Sequence, residues 1–281
     1  MNFYERILYF LNNFEMETPV SYSWFHILWI ILTLGSIVFL YKKRNNYSEK
    51  QLKKVLLIYG VVAFVLELLK QIVWSFNYDQ ITKIVSWDYE WYAFPFQLCT
   101  TPIFVSLICG FIKKGKLRTA LLSYMSFVTI LGSIATIIIP DSCFVSDILV
   151  NVHTMWLHCG SLVVSVYLLM CGEVKLNIKN LINGILIFVI FVVLANLLNI
   201  LVYKSDVLNG ESFNMFYISP YFISTLPVFD IIQESVPYPL YLLTYLCVLT
   251  TGALIIYFAL LGIKEIYMFY KNRVVKSNII K

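Results

Sequence analysis

Charge is what this sequence has least of. Only 13% of its 281 residues are Asp, Glu, Lys or Arg, while 60% are hydrophobic. Soluble domains carry about twice that share of charge, so a water-exposed fold is excluded. Cysteine is sparse and scattered: Cys99, Cys109, Cys143, Cys159, Cys171 and Cys247 include no CxxC pair, and only Cys143 falls in an obvious loop. Neither a disulfide framework nor a zinc site is expected, and no metal or cofactor is implied. No internal repeat or low-complexity run is present. Basic residues come in short clusters between apolar blocks, which gives no footprint for nucleic acid. The first 22 residues hold Glu5, Glu15 and Glu17 without a basic n-region, so no cleaved signal peptide is expected.

What is abundant is apolar residues, in blocks about as long as a bilayer-spanning helix, roughly 20 residues. They predict an all-α, polytopic membrane protein. The reading is a single domain, 1–281, with seven transmembrane helices at 24–41, 55–76, 94–112, 119–139, 148–171, 181–203 and 238–266. Pro140 closes the fourth, since proline cannot continue a helix. Orientation follows from the loops. Most of the 21 Lys and Arg fall in KKRNNYSEKQLKK, KKGKLR, the loop with Lys175 and Lys179, and the C-terminal tail. The opposite side holds Arg6, Lys83 and Lys204, and Lys70 lies within the second span. The positive-inside rule then puts the N-terminus outside and the C-terminus in the cytoplasm. The expected location is the cell membrane and the expected partners are membrane lipids. The loop 205–236 contains FNMFYISPYFIST, apolar and uncharged, and reads as an interfacial or re-entrant segment over the outer end of the bundle.

Polar groups at membrane depth cost free energy, so those present invite explanation. The second span carries Glu67 and Lys70, one turn apart. The third opens FPFQLCTTP, with Gln97, Cys99, Thr100 and Thr101 between Pro95 and Pro102. The fifth carries His153 and His158, the sixth Asn196 and Asn199, and the fourth only Thr129, Ser133 and Thr136. At 1.5 Å per residue the strongest of these fall within about 15 Å of the outer ends of their spans. Two of these helices run inward and two outward, yet their polar residues share one leaflet. That predicts one polar pocket in the outer half, covered by 214–224.

Each residue has a plain reading beside a functional one. Glu67 and Lys70 form either a packing ion pair or a catalytic or ion-handling group. His153 and His158 are five apart, about 140° around a helix, which disfavours a two-histidine metal site there. Asn196, Asn199 and Asn214 serve as interhelical glue or as donors to an oxyanion. Cys99 alone reads as a small buried hydrophobe. Beside Gln97, between two prolines and at the depth of a histidine, it also fits the nucleophile of an acyl transfer. Cys109, Cys159, Cys171 and Cys247 read as packing.

Several motifs in order bear a likeness to a known group: PFQLC at 95–99, the span ending at Pro140, VHTMWLHCG at 152–160, FNMFYISP at 213–220 and PYPLYLL at 237–243. The chain resembles the YwaF-like family of bacterial integral membrane proteins, whose eukaryotic relatives include a transmembrane lipid acyltransferase. The resemblance implies a seven-helix membrane protein. In the eukaryotic branch it implies a cysteine–histidine enzyme acting on phospholipids, with Cys99 as nucleophile, His158 as base and His153 as a second polar group. Members of that family often carry a histidine two residues before the cysteine, where this chain has Gln97. Three functions stand at this point: a lipid acyltransferase or transacylase, a small-solute or proton-coupled transporter, and a non-catalytic membrane assembly protein.

Overall fold

The computed structural model describes residues 2–44, 47–79, 81–140 and 143–279. It is mostly helical. Helix α1 (Phe3–Asn12) opens with a capping box in which Asn2 and Glu5 bond each other's backbone N–H. Its apolar residues Phe3, Tyr4, Ile7 and Phe10 are exposed. Then come α2 (Trp24–Lys43) and α3 (Glu49–Ser75), the latter capped by Ser48, whose Oγ accepts from Gln51 N–H at 3.2 Å. Strands β1 (Phe76–Tyr78) and β2 (Val85–Trp87) pair antiparallel as a small hairpin, a feature that no reading of helical blocks anticipates. Helices α4 (Thr101–Phe111), α5 (Lys116–Tyr124) and α6 (Ile130–Ile138) follow. α7 (Ile148–Met170) is capped by Asp147 and α8 (Ile178–Lys204) by Asn177. The short α9 (Phe229–Ser235) and the long α10 (Tyr238–Ile279) complete the chain.

Among the described residues, six helical stretches are long and apolar enough to cross a membrane: 24–43, 49–75, 116–138, 148–170, 178–204 and 238–270. The seventh block, 94–112, behaves differently. Only its second part is helical, and α4 has 11 residues, about 16 Å of axis. Residues 94–100 form turns. Pro102 lies in the first turn of α4, where its missing N–H costs nothing. Before it, Thr100 closes a turn on Gln97, its Oγ1 accepting from Gln97 N–H at 2.9 Å and donating to Gln97 C=O at 3.0 Å. The two prolines and the two threonines thus make a half-helix from a sequence apolar enough to span.

Helix α4 is the centre of the bundle. Thr101, Pro102, Ile103, Val105, Ser106, Cys109 and Gly110 are all buried, with α3, α5 and α7 packed around it. The apolar core is nearly continuous, with a smaller cluster of Phe25, Phe144, Met155 and Cys159 between α2 and α7. Two glycines set close approaches. A Cβ on Gly160 would stand 2.7 Å from the Tyr59 ring, and one on Gly184 would stand 2.8 Å from Ser123 C=O. They bring α7 against α3 and α8 against α5. Between α5 and α6 lies a π turn, Met125–Thr129, wholly buried. The Met125 carbonyl accepts from Ser165 Oγ at 2.8 Å and from Thr129 Oγ1 at 3.0 Å, so α7 is tied to the turn where the regular helical ladder is interrupted.

Candidate functional site

Glu67, Lys70 and Gln71 lie on one face of α3, as residues three and four apart must. All three converge with His153 of α7. Glu67 Oε1 accepts from Lys70 Nζ at 2.6 Å and from Gln71 Nε2 at 2.8 Å. Its other oxygen, Oε2, lies 2.7 Å from His153 Nε2. Ala93 C=O closes one side of the cluster, accepting from Lys70 Nζ at 3.2 Å and Gln71 Nε2 at 2.7 Å. Lys70 also lies 5.4 Å from the centre of the Trp74 ring. Glu67, Lys70 and His153 are all buried. A carboxylate, an ammonium and an imidazole inside an apolar bundle are stable only because each charge faces a partner. Gln71 and the Ala93 carbonyl were not among the candidates read from sequence. The signal for Gln71 was its position four residues after Glu67.

The loop expected to cover the pocket folds into the bundle. Phe213, Met215, Phe216, Ile218 and Ser219 are fully buried. Phe216 and Tyr217 both have positive φ, 58° and 59°. Two bulky residues in succession in the left-handed region are strained, and such strain persists only where the surroundings dictate it. Here the amides dictate it. Gln97 Nε2 donates to Asn214 C=O at 3.0 Å while its Oε1 accepts from Phe216 N–H at 2.8 Å. Asn199 does the same to Met215, at 3.0 and 2.7 Å. Asn214 ties Ser219, Phe222 and Ile223. Asn196 Oδ1 accepts from Tyr238 Oη at 2.5 Å, and Tyr241 Oη donates to Tyr217 C=O at 2.6 Å. Gln97, Asn199 and Asn214 therefore act on backbone, and their side-chain hydrogen bonds hold a buried loop.

Cys99 lies in the turn before α4. It is half-buried and close enough to interact electrostatically with Glu67 and Lys70. Tyr59, Tyr124 and Tyr217 are likewise within electrostatic reach of its sulfur. Tyr124 is fixed by Thr101, the two hydroxyls standing 2.6 Å apart. Tyr59 donates to Leu157 C=O of α7 at 3.2 Å. His158 is partly buried, interacts with His153 through space, and has no hydrogen-bond partner among the described residues. So the structure joins Glu67, Lys70 and His153 directly and joins the amides to the loop. Cys99 stands within electrostatic reach of Glu67, Lys70 and Tyr217, and His158 within reach of His153, neither with a side-chain hydrogen bond among the described residues. The third histidine, His26, is committed elsewhere: its Nδ1 accepts from Tyr22 N–H at 3.0 Å, so its Nε2, 2.9 Å from Ile137 C=O, carries the proton. No cluster of three or more metal-ligating side chains occurs among the described residues.

Neither a search of curated proteins nor one of solved structures returns a match. The likeness to YwaF-like proteins rests on motif order alone. A family model does match over residues 21–261, with Cys99, Glu67, His153, His158 and the buried loop at 213–219 inside it. The chain therefore belongs to the TMEM164 family of transmembrane proteins.

Proposed function

We propose that this protein is a multi-pass lipid acyltransferase or transacylase of the cell membrane, with Cys99 as the acyl-accepting nucleophile. One observation carries the reading. A thiol without a side-chain hydrogen bond among the described residues lies within electrostatic reach of Glu67 and Lys70, which cluster with His153, and a second imidazole, His158, lies within reach of His153. Thiol plus imidazole is the minimal set for acyl transfer, and a third group that orients an imidazole completes its logic.

The step balances without a cofactor. His158, whose ring nitrogens are uncommitted, takes the Cys99 proton. The thiolate attacks the ester carbonyl of a phospholipid and a C–S bond forms. The C–O bond to glycerol breaks, and the imidazolium returns its proton to the departing alkoxide. A lysolipid leaves and a thioester remains. An acceptor hydroxyl, deprotonated by the same imidazole, then attacks the thioester and regenerates the thiol. Glu67 and Lys70 hold His153 and keep the local field fixed, so both are positioning residues. With the N-terminus outside, Cys99 lies in the outer half of the bilayer, which favours a phospholipid donor over a cytoplasmic thioester.

The test is acyl transfer between phospholipid and lysolipid by the purified protein in nanodiscs, with mass spectrometry of the peptide bearing Cys99. Cys99→Ser should cut transfer by on the order of 10³-fold or more, and His158→Ala should abolish the peptide thioester. Full transfer in Cys99→Ser would sink the mechanism. The buried charges of Glu67 and Lys70 favour a second reading, solute or proton transport. In that case Glu67→Gln would abolish uptake into vesicles while Cys99→Ala left it intact.

A further inference from the structure

Helix α1 lies outside the stretches able to cross a membrane. Its 10 residues rise about 15 Å, half of a hydrocarbon core. Yet it carries an apolar face that the described residues leave uncovered. Phe3, Ile7 and Phe10 recur at the i, i+4 and i+7 spacing of one helical face. They are 70%, 41% and 59% exposed, and Phe14 stacks on Phe10 at 5.2 Å and prolongs the face. The chain packs against a different side of the helix. Leu8 and Leu11 are half-buried, and the Tyr9 ring meets Tyr78 of β1 edge-on, with centroids 6.2 Å apart.

Three contacts fix the level of α1 on the bundle. Strand β1, on which it rests, begins at the residue after α3 ends. The segment that follows α1 is laced to the start of α7: Phe14 C=O accepts from Ile148 N–H at 3.0 Å, and Met16 N–H donates to Ser146 C=O at 2.7 Å. Near the start of α2, Phe25 meets Phe144, just before α7, with ring centroids 5.9 Å apart. So α1 lies at the end of the bundle where α3 stops and where α2 and α7 begin, the level at which these long helices leave the apolar layer. Along α2 only Phe25, His26 and Thr33 are buried, and its first residue, Trp24, is exposed. The lipid-facing surface of α2 therefore reaches the level of α1.

We propose that α1 is an in-plane anchor whose Phe3, Ile7 and Phe10 face binds the lipid surface of the bilayer at this end of the bundle. A helix too short to span, apolar on one side and held at the level of the span ends, lies in the interface plane with that side among the upper acyl carbons. Lipid is favoured over a partner protein because the face continues the lipid-facing surface of α2, and because aromatic rings such as Phe3, Tyr4 and Phe10 settle at headgroup level. Arg6, exposed at the edge of the face, has the reach to place its guanidinium among the headgroups while its stem stays on the apolar side. Through residues 14–16 the anchor also ties the bilayer surface to the start of α7, the helix that carries His153. The inference is independent of the reading of Cys99, and its test reads lipid contact rather than acyl transfer.

The experiment places the photocrosslinker p-benzoylphenylalanine at Phe10, at Tyr9 or at Ile31 of the full chain, in nanodiscs that contain an alkyne-tagged phosphatidylcholine. Ile31, exposed on α2, is the reference for lipid contact. On irradiation, position 10 should capture lipid as strongly as position 31. Position 9 should capture several-fold less lipid and react instead within the chain, on the hairpin. Lipid capture at position 10 no greater than at position 9 overturns the proposal, as does capture of a second protein chain at position 10. A second measurement needs no probe. In nanodiscs trypsin should leave the bond after Arg6 intact in the parent and cut it in Ile7→Ser/Phe10→Ser, whose α1 has lost its hold on the interface. Equal susceptibility of parent and variant, whether both are cut or neither is, overturns it.

Discussion

Towards one end of α3, Lys70 gives its ammonium to Glu67 and to Ala93 C=O, and Glu67 turns its other oxygen to His153. At the other end Arg118 reaches Glu49 with one nitrogen and leaves two without an acceptor among the described residues. Both cations are buried. Glu67 is buried with its partner, whereas Glu49 is 46% exposed at its side chain. A buried ion pair pays its desolvation through mutual attraction and further hydrogen bonds, and breaking it is expensive. The Lys70 ammonium has those bonds within the protein, to Glu67 and to Ala93 C=O. The Arg118 guanidinium keeps two donors without an acceptor among the described residues. Burial alone thus does not mark a functional charge. What matters is whether the surrounding groups complete it.

The largest expected effect tests the closed cluster. Glu67→Ala leaves Lys70 buried with only Ala93 C=O and should cost about 3–5 kcal/mol, seen as a lower midpoint of unfolding in detergent. Glu49→Ala removes the one acceptor that buried Arg118 has among the described residues and should cost a comparable amount. A much smaller loss for Glu49→Ala would show that water reaches Arg118 once the half-exposed carboxylate is gone.

An intermediate effect concerns the loop. Gln97→Leu strands Phe216 N–H and Asn214 C=O in a strained, buried turn. The expected cost is about 1–3 kcal/mol, together with proteolytic cleavage between 213 and 220, which the parent should resist. An uncleaved Gln97→Leu loop would show that Asn199 and Tyr241 suffice to hold it.

The smallest effect is one of pH. Burial alone would raise the Glu173 carboxyl, but the Lys114 ammonium and the Tyr47 hydroxyl bonded to it outweigh burial and hold it below the usual carboxylate range. A group depressed in the folded state binds protons more readily when unfolded. Its stabilisation is therefore complete above the unfolded carboxylate value, about 4.3, and is lost as pH falls through the lower folded value. Lys114 is 64% exposed, so solvent and salt screen the pair. Glu173→Gln should flatten the acid limb of a stability profile slightly and leave it unchanged near neutrality.

Much of this was open to a reading of residues. Glu67 and Lys70, spaced three apart, had to share a face. The span read at 94–112 was helical only from Thr101, with Pro95 and Pro102 flanking the part that is not. Other features were closed to it. Arg118 reads as a loop charge in KKGKLR, yet it is buried, because α5 starts at Lys116 and turns it inward. Asn196, Asn199 and Asn214 read equally as donors to a substrate or as glue, since the choice depends on which backbone comes within 3 Å. The hairpin and α1 carry too short an apolar pattern to announce themselves.

The sequence by itself determined that this chain lives in a membrane and where its long helices run, because apolar block length and helix rise per residue are local quantities. Positions of polar residues along those blocks likewise put Glu67 and His153 at a similar depth, and the two side chains meet at 2.7 Å. Only the tertiary structure decided that Glu67 meets His153, that the amides grip a folded-in loop, and that Arg118 is left with unfilled donors. Those outcomes depend on rotation of each helix about its axis and on close approaches such as Gly160 against Tyr59, which packing sets and no single segment encodes.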